Sequence, residues 1–129
     1  MQDVLRALNA WERQPFTYGT SDCVQFVRFM VQQLTGKDYI PDYVYDSEQA
    51  ADRIVADAGG LEPLVTSVLG EPTTSIDTLP DGSPVLLQFG RQHIMGIKLA
   101  DDAVCISTNG MLRVSSGHVT KGWALWPIP

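Results

Sequence analysis

The chain has 129 residues, of which 44% are hydrophobic and 19% charged, an ordinary globular composition that excludes wholesale disorder and fibrous repeats. Nine basic side chains against fifteen acidic ones give a net charge of −6 with the histidines neutral. The basic residues are scattered, so neither a nucleic acid nor an anionic membrane is an expected partner. No apolar run is long enough to span a bilayer, and the start, Met1-Gln2-Asp3-Val4-Leu5-Arg6, lacks the basic and apolar stretches of a secretory signal. The expectation is a single domain over residues 1–129, made in a cytoplasm or carried inside a larger assembly, with no membrane insertion.

In chain order, residues 3–13 read as a short amphipathic helix with Val4, Leu8 and Trp11 on one face. Pro15 ends it, and residues 15–22 form a turn-rich loop. Residues 23–34 carry the strongest helical pattern. Asp22 suits the N-cap, Gly36 suits the C-terminal stop, and Cys23, Phe26, Val27, Met30 and Leu34 form one stripe. An apolar surface that broad predicts a helix buried on more than one side. Residues 37–46 are an aromatic loop. A helix then runs from a cap at Asp46 or Ser47 to about Ala58, stopped by Gly59-Gly60, and a shorter one covers 62–69 with Pro63 in its first turn. Pro80-Asp81-Gly82 marks a turn, after which strand-like runs follow at 84–89, 93–99, 103–108, 111–114 and 122–127. Helices first and a meander of strands after predict an α+β fold with a small curled antiparallel sheet or barrel.

The chemistry centres on Asp22-Cys23. A thiol at a helix start meets unpaired backbone N–H groups and the positive end of the helix dipole, and both favour thiolate; a lowered pKa is therefore expected. A nucleophilic thiolate needs a base, normally His, and a group to orient that His. His93 opens a predicted strand, whereas His118 lies in a glycine-flanked loop. Ser107, Thr108 and Asn109 are the candidate orienting groups, with Gln92 and Gln88 ranked below them. Cys105, within Val104-Cys105-Ile106, reads as strand core. With no C-x-x-C pair, reduced thiols are expected. Cys23, His93, Cys105 and His118 lack the spacing of a zinc site, and no phosphate-binding or dinucleotide-binding glycine motif occurs, so neither a metal nor a cofactor is expected.

The segment Pro15-Phe16-Thr17-Tyr18-Gly19-Thr20-Ser21-Asp22-Cys23-Val24-Gln25-Phe26 resembles the nucleophile segment of NlpC-type cysteine peptidases, in particular a small phage and prophage branch. Thr35-Gly36-Lys37-Asp38, the Gly82 to Leu87 stretch, Met95-Gly96-Ile97 and Trp123 extend the likeness over nearly the whole chain, although only the first segment is specific. The resemblance implies a reduced papain-like fold and cleavage of amide bonds in peptidoglycan stem peptides. Cys23 would be the nucleophile and His93 the base, Ser107 would orient the His, and Tyr18, Gly19 and Asp22 would shape the substrate cleft. It further implies residence in a phage tail, among hub and tip proteins. Two departures stand out. His93 lies three residues before Gly96, where the family's His lies two before, and a one-residue shift turns a strand side chain to the opposite face unless a bulge restores it. Ser83-Pro84 also stands where the family carries Asp. The alternative expectation is a catalytically degenerate domain that serves as a structural part of a tail tip and docks through an aromatic surface of Tyr39, Tyr43 and Tyr45.

Overall fold

The structure is a computed structural model, and it describes residues 2–12, 16, 22–38, 45–107 and 110–124. Among them are four α-helices, α1 (Gln2–Trp11), α2 (Cys23–Thr35), α3 (Glu48–Asp57) and α4 (Leu61–Leu69). Five strands follow, β1 (Pro84–Phe89), β2 (Gln92–Leu99), β3 (Asp102–Ser107), β4 (Gly110–Ser115) and β5 (Val119–Gly122). The architecture is α+β.

The sheet is antiparallel, in the order β4-β3-β2-β1-β5. It is open, so of the two expected forms the sheet stands and the closed barrel does not. Beyond β4 the chain turns through Ser116–His118 and returns to the far edge, where β5 pairs with β1 across an irregularity between Leu86 and Leu87. The outer side of β5 is engaged locally: Thr73 and Gly122 exchange backbone hydrogen bonds of 2.8 and 2.9 Å. Covering an edge in this way satisfies groups that would otherwise recruit another strand. The last strand ends at Gly122, where the sequence had predicted 122–127; residues 125–129 lie outside the described set.

The helix boundaries follow from local chemistry. Asp22 is extended and its carboxylate accepts the Gln25 N–H at 3.0 Å, while Gly36 sits at φ 76° and returns its N–H to Gln32 O at 2.9 Å. Ser47 caps α3 in the same manner through the Ala50 N–H. Of the expected stripe on α2, Phe26, Val27 and Met30 are buried, with Phe26 and Met30 wholly enclosed, while Cys23 and Leu34 at its ends are half-buried.

Both faces of the sheet are covered. One carries Leu86, Met95, Ile97, Val104 and Ile106 against α1, α2 and α4. The other carries Val85, Leu87, Ala103 and Cys105 against Leu79 and the short turn Ile76–Thr78. Trp11 on α1 closes the helical layer, its ring 5.6 Å from Phe26 and 5.2 Å from Phe29. Trp123 is buried and donates its indole N–H to Gly70 O at 2.8 Å, tying the end of β5 to the end of α4. Cys105 is core, as expected.

Gly96 lies where β1, β2 and β3 are pressed together. A Cβ there would stand 2.6 Å from the Val104 carbonyl oxygen and 2.9 Å from Leu87 Cδ1. One of these obstacles is backbone, so the strands must part to admit a methyl group. Gly96→Ala is expected to lose about 1–3 kcal/mol in urea unfolding. An unchanged midpoint would show that β3 yields freely at this point.

Candidate active site

The site forms where two strands stop pairing. β2 and β3 are in register from Leu99↔Asp102 to Gly96↔Cys105. β2 nevertheless keeps its partner β1 out to Phe89↔Gln92, and β3 keeps β4 out to Ser107↔Gly110. The start of β2 and the end of β3 therefore splay apart, and the first turn of α2 sits at the mouth of the gap. The result is a cleft of about 390 Å³ bordered by Asp22, Cys23, Tyr45, His93, Ile106 and Ser107, with Glu48 and Asp52 along its α3 side.

Backbone alternation explains how the sulfur is held. Lys98 gives its N–H to Ser83 O on the β1 side, so the N–H of Met95, three residues earlier, points to the β3 side. There the ladder has ended, and the Met95 N–H bonds to Cys23 instead. The Val24 N–H also reaches the sulfur. Both contacts favour thiolate, as the helix-start argument expects. They are outweighed. Cys23 keeps a half-buried surface on the cleft, yet loss of water, followed by the adjacent Asp22 carboxylate and Cys105, pushes its thiol up from 9.0 to about 11. The expected lowering is thus corrected: at neutral pH the sulfur carries its proton.

The same alternation settles the question raised by His93. Met95 and Ile97 face the helices, while Ile94 packs into the opposite core. His93 shares the parity of Met95, so it projects to the helical side, and β1–β2 pairing is regular throughout. No bulge is needed. Two residues along a strand are about 6.8 Å apart, so the imidazole is rooted one such step from the backbone group that holds the sulfur. His93 is exposed at the cleft wall, and among the described residues no hydrogen bond joins it to Cys23. His118 goes elsewhere. It stacks on Phe89 with ring centroids 4.4 Å apart and meets Gln88 O at 3.2 Å, outside the cleft.

Ser107 borders the cleft, but its hydroxyl donates to Gly110 O at 3.1 Å, and alternation along β3 groups it with Cys105 on the far face. Gln88, ranked lower from sequence, stands directly across β1 from His93 on the same face, with its amide nitrogen fixed on Gly90 O at 3.0 Å. Cross-strand pairing was the signal that could have found it. Asp22 is buried at 4% exposure and serves as the helix cap. Tyr45, expected on an outer docking surface, is instead half-buried, and its hydroxyl bonds to Asp22 and Gln25. Tyr18, Gly19, Tyr39, Tyr43, Thr108 and Asn109 lie outside the described residues. Among the described residues, no group of three from His, Cys, Asp and Glu could hold a metal ion, and no helix is long and apolar enough to cross a membrane.

A family model described as "Domain of unknown function (DUF6950)" matches residues 2–125. None of the curated proteins matches the chain.

The raised thiol has a measurable consequence. Folding favours the protonated sulfur, so this stabilisation is complete below pH 9 and is lost as the pH rises towards about 11. Iodoacetamide labelling of the Cys23 peptide is expected to accelerate with pH to a midpoint near 11. Cys23→Ala is expected to flatten part of the alkaline loss of stability. A labelling plateau reached below pH 8 would mean that the N–H groups outweigh burial.

Proposed function

We propose that this chain, which belongs to the DUF6950 family, is a cysteine amidase or endopeptidase of a phage or prophage tail that acts on bacterial cell-wall peptides. A helix start packed on an antiparallel sheet is read here as a reduced papain-like arrangement, in keeping with the NlpC-type resemblance of residues 15–26. The observation that carries the reading is the sharing of one cleft by Cys23 and His93, with both directed to the same side of β2.

Because the free thiol is protonated, the chemistry runs by general base catalysis and not from a standing thiolate. His93 takes the Cys23 proton as the sulfur attacks the amide carbonyl carbon. The resulting oxyanion is stabilised at the start of α2. There the Gln25 and Phe26 N–H groups are held by Asp22 and that of Val24 lies on the sulfur, which leaves the Cys23 N–H to turn towards substrate. On collapse the C–N bond breaks, and His93 delivers its proton to the departing amine. Water, deprotonated by His93, then hydrolyses the thioester and restores the thiol. Binding of the peptide must bring the exposed imidazole onto the sulfur. The carboxylates of Glu48 and Asp52 suit a substrate that bears a free amine.

A second reading is a catalytically degenerate domain that is a structural component of the tail tip, bound to hub and tip proteins. It is favoured by the protonated thiol and by the Asp22 carboxylate as its immediate neighbour. The two readings separate on purified stem peptides. The enzyme reading expects wild-type cleavage, loss of that cleavage in Cys23→Ala, and a fall of about 10²–10⁴-fold in kcat for His93→Ala. Cleavage that survives His93→Ala at full rate, or an inert wild type in assembled particles, overturns it.

A further inference from the structure

The residue next to the nucleophile presents a physical conflict. Asp22 caps α2 through its carboxylate, with Oδ1 3.0 Å from the Gln25 nitrogen, at 4% exposure. Ser or Asn would cap as well without a charge. The charge of Asp22 opposes ionisation of the sulfur beside it. A buried carboxylate at this place needs donors, and the structure supplies one from outside the helix. Tyr45, in the segment leading to α3, lines the same cleft and directs its hydroxyl to Asp22. Its oxygen accepts from the Gln25 side chain. The carbonyl of that same side chain accepts from Arg28 Nη1 at 3.5 Å, and Arg28 is clamped by Asp38 through contacts of 2.9 Å from Nε and 2.6 Å from Nη2. A chain of donors therefore runs from a guanidinium, through an amide and a phenol, to the carboxylate at the helix cap.

We propose that Tyr45 is a positioning residue for Cys23, its hydroxyl holding the Asp22 carboxylate in the α2 cap and drawing that charge away from the sulfur. Burial, reinforced by the bond to Asp22, keeps the phenol protonated well above the usual tyrosine range, so it remains a donor wherever the thiol titrates. Among the described residues, the other ionisable groups around the sulfur are Glu48 and Asp52 from α3, His93 from β2 and Cys105 from β3. None of them contacts Asp22 in the way Tyr45 does. The proposal rests on the hydrolase reading only for the purpose of a reactive Cys23; the coupling itself is independent of hydrolysis.

The test is the iodoacetamide rate at the Cys23 peptide across pH, in the full chain, for wild type, Tyr45→Phe, Asp22→Asn and the double variant. Tyr45→Phe keeps the ring and removes only the hydroxyl. It is expected to slow labelling below the midpoint by about 3- to 10-fold, the scale of one lost hydrogen bond to a charged acceptor. In the Asp22→Asn background the same change is expected to do nothing, because there is no charge left to move. If Asp22→Asn does not fold, Asp22→Ser retains a neutral cap and takes its place. An unchanged rate in Tyr45→Phe, or an equal factor in both backgrounds, overturns the proposal and leaves a packing role. Absence of peptide cleavage with the coupling intact would remove the hydrolase reading alone.

Discussion

The N–H of Met95 has two claimants, the β3 ladder and the sulfur of Cys23. It serves the sulfur because β2 and β3 cease to pair after Gly96↔Cys105. An unpaired strand N–H in a buried place is costly, so the arriving helix supplies an acceptor that the lost ladder would have supplied. One event thereby opens the cleft, docks the start of α2 against the sheet and fixes the position of the sulfur relative to β2. Gly96 makes the crowded side of this junction possible, since at this residue β3 lies too close to β2 for any side chain.

Electrostatics at the sulfur is a contest of magnitudes. A helix dipole and a pair of N–H groups are worth about 1 kcal/mol at partly exposed sites and up to about 2 when buried. Removing a would-be anion from water shifts pKa by up to about 3–5 units. Here the second effect prevails, and Asp22 adds to it. The same burial that gives the thiol a fixed environment keeps it neutral. His93 lies on the helical face of β2 and is exposed at the cleft wall.

A sheet covered on both sides also accounts for the division of labour along β2. Alternate residues go to two different cores: Met95 and Ile97 to the helical layer, Ile94 to the layer closed by Leu79 and Ile76. With both faces apolar, the strand does not show the apolar–polar alternation that would reveal its orientation. The sequence therefore does not tell which face His93 takes; on this backbone it shares the helical side with Met95. Ser107 borders the cleft, with its hydroxyl bonded to Gly110 O.

Much of the fold was legible from local chemistry. Asp22, Ser47, Gly36 and Gly59-Gly60 punctuate the helices, and turn residues separate the strands, because caps and positive φ angles are demands made by a few adjacent atoms. Cys23 at a helix start and Cys105 in a strand core were legible for the same reason. Strand order, the failure of the sheet to close, the gap between β2 and β3 and the turn of Tyr45 towards Asp22 were not. These depend on residues far apart in the chain, whose meeting is decided only when whole faces are buried together. The sign of the Cys23 shift belongs with them: sequence supplies the dipole, while the amount of water excluded from the sulfur is a property of the packed molecule.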